Sequence, residues 1–189
     1  MSTNFEIYHY TRQDFNDVGF GCSYRNIQNI LSSLSIEVPH ITQLFEFFDK
    51  DYKDKIENRQ TKKLWIEPFQ ISEYLLKSHK IGGENLLYVR AHIDYNNILR
   101  TDLKHYINSD LIFYLDDFDR VVTKMEIHFS KTRTPIVIDD GTFSYCVLAI
   151  NHKYVTILDP HKLETKNTIY TRPVTFLKNS FWMIYIPNR

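Results

Sequence analysis

With 189 residues, 43% of them hydrophobic and 15% aromatic, the chain carries enough apolar material for one packed core and too much for disorder. Its 23 basic and 23 acidic side chains cancel, so nothing in the net charge favours nucleic acid or an anionic membrane as a partner. Two cysteines, Cys22 and Cys146, make neither a zinc-ligand pattern nor a disulfide framework, so the expectation is a reducing compartment with no metal and no other cofactor. The first residues lack the apolar run of a signal peptide, and no later stretch approaches membrane-spanning length. A soluble cytoplasmic protein is expected, monomeric and forming a single domain over residues 1–189.

In chain order, Ile27, Ile30, Leu31 and Leu34 recur at helical spacing. They predict a helix from Cys22 to about Leu34, with Arg25, Asn26, Gln28 and Asn29 on its other face. A second helix is predicted over Ile41 to Phe48, and the charged stretch from Asp49 to Lys63 reads as a solvated loop or frayed helix. Pro68 suits the first turn of a third helix running to Lys77. A Gly82-Gly83 turn then precedes a strand at Leu86 to Ala91. Weaker patterns suggest a helix at Asn96 to Ile107, a strand at Leu111 to Leu115 and a helix at Arg120 to Phe129. The last third is strand-rich: Pro135 to Ile138, Tyr145 to Ile150, Tyr154 to Leu158 and Phe181 to Ile186 are short β-branched or aromatic runs. Short polar turns between them predict antiparallel hairpins and an α+β fold, a helical N-terminal part packed on a C-terminal antiparallel sheet.

The segment Asp17-Val18-Gly19-Phe20-Gly21-Cys22-Ser23-Tyr24-Arg25 puts a cysteine after two glycines at a helix start. Free N–H groups and the helix dipole favour negative charge there, so the thiol ionises more readily than one in a core. Cys146, inside a strand pattern, reads as inert packing. In Leu158-Asp159-Pro160-His161 the proline stiffens the chain, so Asp159 and His161 project to the same side and the carboxylate can orient the imidazole. Nucleophile, general base and orienter make a complete Cys/His/Asp set. Either motif alone is more often structural, as a packed thiol or a turn leaving a strand; the two together, with the cysteine at a helix mouth, favour catalysis. For the oxyanion, the Cys22 amide is one donor, and Tyr8-His9-Tyr10 offers two phenols and an imidazole among which chemistry alone does not choose.

These residues resemble the Ufm-specific cysteine proteases, which act on a ubiquitin-fold modifier. The likeness rests on Tyr8-His9-Tyr10 followed by Gly-Phe-Gly-Cys-Ser-Tyr-Arg-Asn-Ile-Gln, on Leu64-Trp65-Ile66, and on Asp159-Pro160-His161. A fourth block, Val174-Thr175-Phe176 through Tyr185-Ile186-Pro187, is similar to the family's C-terminal strand. The resemblance implies a papain-like fold and a thiol protease that hydrolyses the bond after a modifier's C-terminal glycine. Cys22 would be nucleophile, His161 base, Asp159 orienter and Tyr10 oxyanion donor, and Trp65 either a substrate contact or a core aromatic. Asp140 and Gly141, in a turn of this chain's own, are further candidate substrate contacts. The implied partners are the ubiquitin-like modifier and its conjugates.

Two departures stand out. Phe20 replaces the family's tryptophan, and Ile138-Asp139-Asp140-Gly141-Thr142-Phe143-Ser144-Tyr145-Cys146 stands where the family has a glycine-rich turn followed by a histidine. Tyr145 falls where a deubiquitinating branch of the family keeps its catalytic histidine. The autophagy cysteine proteases are a rival resemblance, sharing Asp-x-Gly-aromatic-Gly-Cys, Trp65 with Pro68, and Asp-Pro-His. A binding module that captures a ubiquitin-like protein without cleaving it is the reading from outside catalysis.

Overall fold

A computed structural model describes residues 3–90, 111–178 and 181–188. Its helices are α1 (Cys22–Ser33), α2 (Ile41–Phe48), α3 (Tyr52–Glu57), α4 (Pro68–His79), α5 (Phe118–Lys131) and the single turn α6 (Thr175–Lys178). Its strands are β1 (Gly82–Val89), β2 (Leu111–Leu115), β3 (Ile136–Asp139), β4 (Ser144–Ile150), β5 (Tyr154–Leu158), β6 (Ile169–Pro173) and β7 (Trp182–Asn188). All seven strands share one sheet in the order β2-β1-β7-β3-β4-β5-β6.

The α+β class holds, but the sheet is mixed. β1 and β2 run parallel, whereas every other neighbouring pair is antiparallel. Hairpin reasoning applies where strands are joined by short turns, and residues 90–110 lie between these two. The helix expected at Asn96 to Ile107 lies outside the described residues.

Helices also cover both faces of the sheet rather than one. Val137, Cys146, Leu158 and Tyr185 point into a core shared with α1, α2 and α4. Their neighbours Ile136, Ile138, Val147 and Ile157 point the other way, into a core shared with α5 and α6. Strand side chains alternate between faces, so a strand covered on both sides reads as a continuous apolar run, as Ile136-Val137-Ile138 does.

Several local expectations are revised. Gly82 and Gly83 begin β1 instead of forming a turn: they pair with Asn188 and Pro187, and a Cβ on Gly83 would collide with the Tyr185 ring. Part of the charged stretch forms α3, pinned by the buried Tyr52 stacked on Phe45 at 5.7 Å. β6 has no apolar alternation to betray it and occupies a sheet edge, where its Pro173 is tolerated. The C-terminal block splits, with Thr175 to Lys178 helical and the strand confined to β7. Among the described residues no helix is long and apolar enough to cross a membrane.

The most consequential feature is α1, whose polar face is as buried as its apolar one. Asn29 accepts from the Tyr8 N–H at 2.8 Å and donates to the Tyr8 carbonyl at 2.9 Å, pairing as a strand would. Gln28 donates to the Pro39 carbonyl at 2.8 Å. Arg25 uses all five of its donors: Nε and Nη2 grip both oxygens of the buried Asp17 at 2.8 and 3.0 Å, and the others reach Gln28, Gln13 and the Arg12 carbonyl. Asp17 also accepts from the Thr11 N–H at 2.9 Å, while its own carbonyl takes the Gly21 N–H at 2.9 Å. Asp17 therefore ties the segment after Tyr10, through its carboxylate, to the residue before Cys22, through its carbonyl.

This clamp explains Gly21. Its backbone is ordinary, with φ −89°, but a Cβ there would overlap the Asp17 carboxylate. Gly21→Ala is expected to dislodge a buried carboxylate from its guanidinium and cost about 3 kcal/mol of folding stability. Urea unfolding of the variant against wild type measures this.

Candidate active site

Cys22 is the first residue of α1, after Gly21, and no side chain caps the helix. The N-terminal N–H groups of α1 are thus left to whatever negative charge develops at the sulfur or beside it. The Asp159-Pro160-His161 segment follows β5 directly, and the sheet carries it over the start of α1. Tyr10 arrives from the N-terminal segment, and its backbone N–H donates to the Pro160 carbonyl at 2.8 Å. One backbone bond thus fixes Tyr10 to the loop that holds the histidine.

Asp159 and His161 meet as their spacing predicts. Asp159 Oδ1 accepts from the His161 backbone N–H at 3.0 Å and lies 2.6 Å from Nδ1, which assigns the ring proton to that nitrogen. Burial alone would raise the Asp159 pKa, but the hydrogen bonds from the His161 ring and backbone outweigh it and hold the carboxyl below its usual range. His161 shows the complementary balance. Burial lowers its pKa, while the Asp159 carboxylate and the Cys22 sulfur raise it, leaving it at about 9. Nε2 is buried, has no hydrogen-bond partner of standard geometry, and is near enough to Cys22 to feel its charge. That leaves Nε2 as the ring nitrogen turned toward the sulfur, with Nδ1 held by Asp159.

Tyr10 is buried beside the same sulfur. Burial first, and then the charge and hydrogen bond of Cys22, push its phenol well above the ordinary value, so it stays protonated and able to donate. Its oxygen also takes a hydrogen bond from the Gly19 backbone. The two other candidates in that block serve the scaffold: the Tyr8 backbone pairs with Asn29, and His9 sits 2.8 Å from the Tyr10 carbonyl and 3.1 Å from Thr165 Oγ1.

Trp65 stands at the rim, 42% exposed, with its indole N–H donating to the Gly19 carbonyl at 3.3 Å. With Phe20, Ile66, Gly141 and Thr142 it lines a cleft of about 280 Å³ that opens on Cys22. Asp140 is spent on its own turn, accepting from Thr142 and Phe143 N–H at 2.9 and 2.8 Å. The acidic residues lining the cleft are Asp139 and Glu67.

Sequence reasoning missed the cage around the imidazole. Tyr10, Phe143 and Tyr145 present their rings at steep angles to His161, with centroids 5.2 to 5.3 Å away. It also missed Tyr170, whose hydroxyl reaches Asp159 Oδ2 at 3.4 Å, and Asn26, one helical turn beyond Cys22. No local pattern marks these residues, because pairings across the sheet bring them in. Both cysteines are free; Cys146 donates to Asn26 Oδ1 at 3.2 Å, and burial pushes its thiol pKa up. Among the described residues no cluster of three or more His, Cys, Asp or Glu side chains is placed to hold a metal ion.

The model of peptidase family C78 matches residues 1–175. A probable Ufm1-specific protease of Oryza sativa subsp. japonica is 27% identical over 217 aligned residues, covering 98% of this chain and 29% of the relative. Probable Ufm1-specific protease 2 of Drosophila melanogaster is 24% identical over 173 residues, covering 85% and 24%. Among solved structures, UfSP from C. elegans superposes with a TM-score of 0.62 at 18% identity, over 97% of this chain and 32% of the other. The chain thus spans between about a quarter and a third of the length of these relatives.

The charge balance at His161 sets a pH dependence. Its raised pKa means that the stabilisation from its charged form is complete below the free-imidazole value of about 6.5 and fades as pH rises through about 9. Asp159→Asn removes the carboxylate, and the imidazole midpoint followed by NMR is expected to fall by at least about one unit. An unchanged midpoint would show that Asp159 does not hold the proton on His161.

Proposed function

The chain belongs to peptidase family C78, and from that membership and the site we propose a cysteine peptidase that cleaves after the C-terminal glycine of a Ufm1-type modifier. Its substrates are the modifier's precursor, its conjugates, or both. It works as a monomer in the cytoplasm, where both free thiols stay reduced. The observation that carries the reading is the convergence of His161 and Tyr10 on Cys22 at the first turn of α1, beneath a cleft rimmed by Trp65. The family match favours this reading over the autophagy-type alternative.

In the reaction, His161 takes the Cys22 proton or pairs with a thiolate already formed, its orientation fixed by Asp159. The sulfur attacks the carbonyl carbon of the terminal glycine, which reaches it through the narrow cleft beside Trp65. Charge passes to the carbonyl oxygen, where the Tyr10 hydroxyl and the Cys22 backbone N–H stabilise it. His161 then gives its proton to the leaving amine. Water, deprotonated by the same imidazole, attacks the thioester and frees the thiol.

A modifier whose terminal glycine bears a C-terminal electrophile tests the reading. Wild type is expected to form a covalent adduct and Cys22→Ser none; tight binding without an adduct in wild type would point to a capture module instead. Tyr10→Phe is expected to slow turnover on the order of 10²- to 10³-fold, the scale of one oxyanion donor. Undiminished turnover would remove Tyr10 from that role.

A further inference from the structure

Asp139 ends β3, and its partner across the β3–β4 pair is Ser144, the first residue of β4. The four residues between them form the turn whose Gly141 and Thr142 line the cleft over Cys22. Asp139 is buried; its Oδ1 accepts from the Gly141 N–H at 2.7 Å, and Ser144, its partner across the strand pair, helps to hold its pKa down against burial. Ser144 Oγ in turn accepts from Asn26 Nδ2 at 3.0 Å, and Asn26 Oδ1 receives the Cys146 thiol. Ser144, Asn26 and Cys146 are all buried. Hydrogen bonds and the Asp139–Ser144 strand pairing together therefore lead from the wall of the cleft to the helix that bears Cys22.

We propose that Asp139 is a positioning residue for substrate binding, holding the Gly141-Thr142 wall of the cleft in register with the nucleophile helix through Ser144 and Asn26. This deepens the proposed peptidase reading and rests on it. The neighbouring carboxylate has a separate task. Asp140 holds Thr142 and Phe143, and Phe143 packs against His161, so the imbedded imidazole keeps one support that is independent of Asp139. Loosening Asp139 is thus expected to weaken substrate binding more than the chemical step.

The surroundings of Asp139 give the wall a pH response. Glu67 at the start of α4 and Asp140 in the turn add negative charge, Cys22 faces the same cleft from α1, and β7 contributes the uncharged Met183. No cation is present among the described residues lining the cleft. Burial chiefly, helped by these neighbouring acids, pushes the Asp139 pKa up to about 7. Below that value the carboxyl loses its negative charge, and its hydrogen bond from the Gly141 N–H loses the charge assistance that strengthens it.

The experiment compares wild type, Asp139→Asn and Ser144→Ala on a glycine-ended modifier precursor, with thermal melting to confirm folding. Wild-type KM is expected to rise as pH falls from about 8 to about 6, through the Asp139 titration. Asp139→Asn is expected to raise KM on the order of tenfold with kcat falling less than about threefold, and to flatten the pH dependence. Ser144→Ala, which keeps the carboxyl but removes the side chain that helps to hold its pKa down, is expected to move the KM midpoint to higher pH. Amide exchange of Gly141 in the free protein gives a readout that needs no turnover: its protection is expected to drop below pH 7 in wild type and at all pH in Asp139→Asn. A flat wild-type KM, a folded Asp139→Asn that loses kcat without raising KM, or Gly141 protection indifferent to both pH and substitution overturns the proposal. Loss of turnover in wild type with the exchange behaviour intact would instead strike the peptidase reading.

Discussion

The buried ion pair between Asp17 and Arg25 is the constraint on which the site depends. A guanidinium and a carboxylate removed from water are costly unless every donor and acceptor is used, and here each of the five N–H groups of Arg25 finds an oxygen. That completeness makes the pair a locator more than a source of stability. It fixes the chain between Tyr10 and Cys22, obliges residue 21 to be glycine, and sets the angle at which α1 meets the loop. A hydrophobic pair of similar volume could fill the space but would not define the path of the backbone.

The sheet supplies the other half of the alignment. Helices on both faces leave β3, β4 and β5 little freedom, and the ends of these strands carry the Asp139 turn, Phe143, Tyr145 and the Asp159-Pro160-His161 segment. Three aromatic rings then enclose the imidazole. Two of them stand on the β3–β4 turn and β4, so the same turn that walls the cleft also surrounds His161. Tyr145 shields the base from the side.

The local part of this design is legible in the sequence. The α1, α2 and α4 helices follow from apolar spacing and from Pro68, and the Asp159–His161 contact follows from two residues separated by a proline. What escapes is everything that depends on which face of an element is covered. Arg25, Asn26, Gln28 and Asn29 read as a polar face, and nothing nearby in the chain says that residues 8–17 and Ser144 will bury it. The parallel pairing of β1 with β2, and β6 with its polar composition, escape for the same reason, since both are decided by neighbours distant in sequence. The neighbouring pair Asp139 and Asp140 divides likewise: only the fold shows one carboxyl facing inward and the other closing its own turn.

The backbone bond from Tyr10 to Pro160 ties the start of the chain to a loop made near its end. During synthesis Cys22 leaves the ribosome long before His161 exists, and Tyr10 has nothing to hold it over the sulfur until the loop after β5 has formed. The growing chain therefore carries the Cys22 thiol before the His161 imidazole and the Tyr10 phenol are in place beside it. The cleft residues and the imidazole come together only when the last strands have joined the sheet, so the site is one of the last parts of the fold to exist.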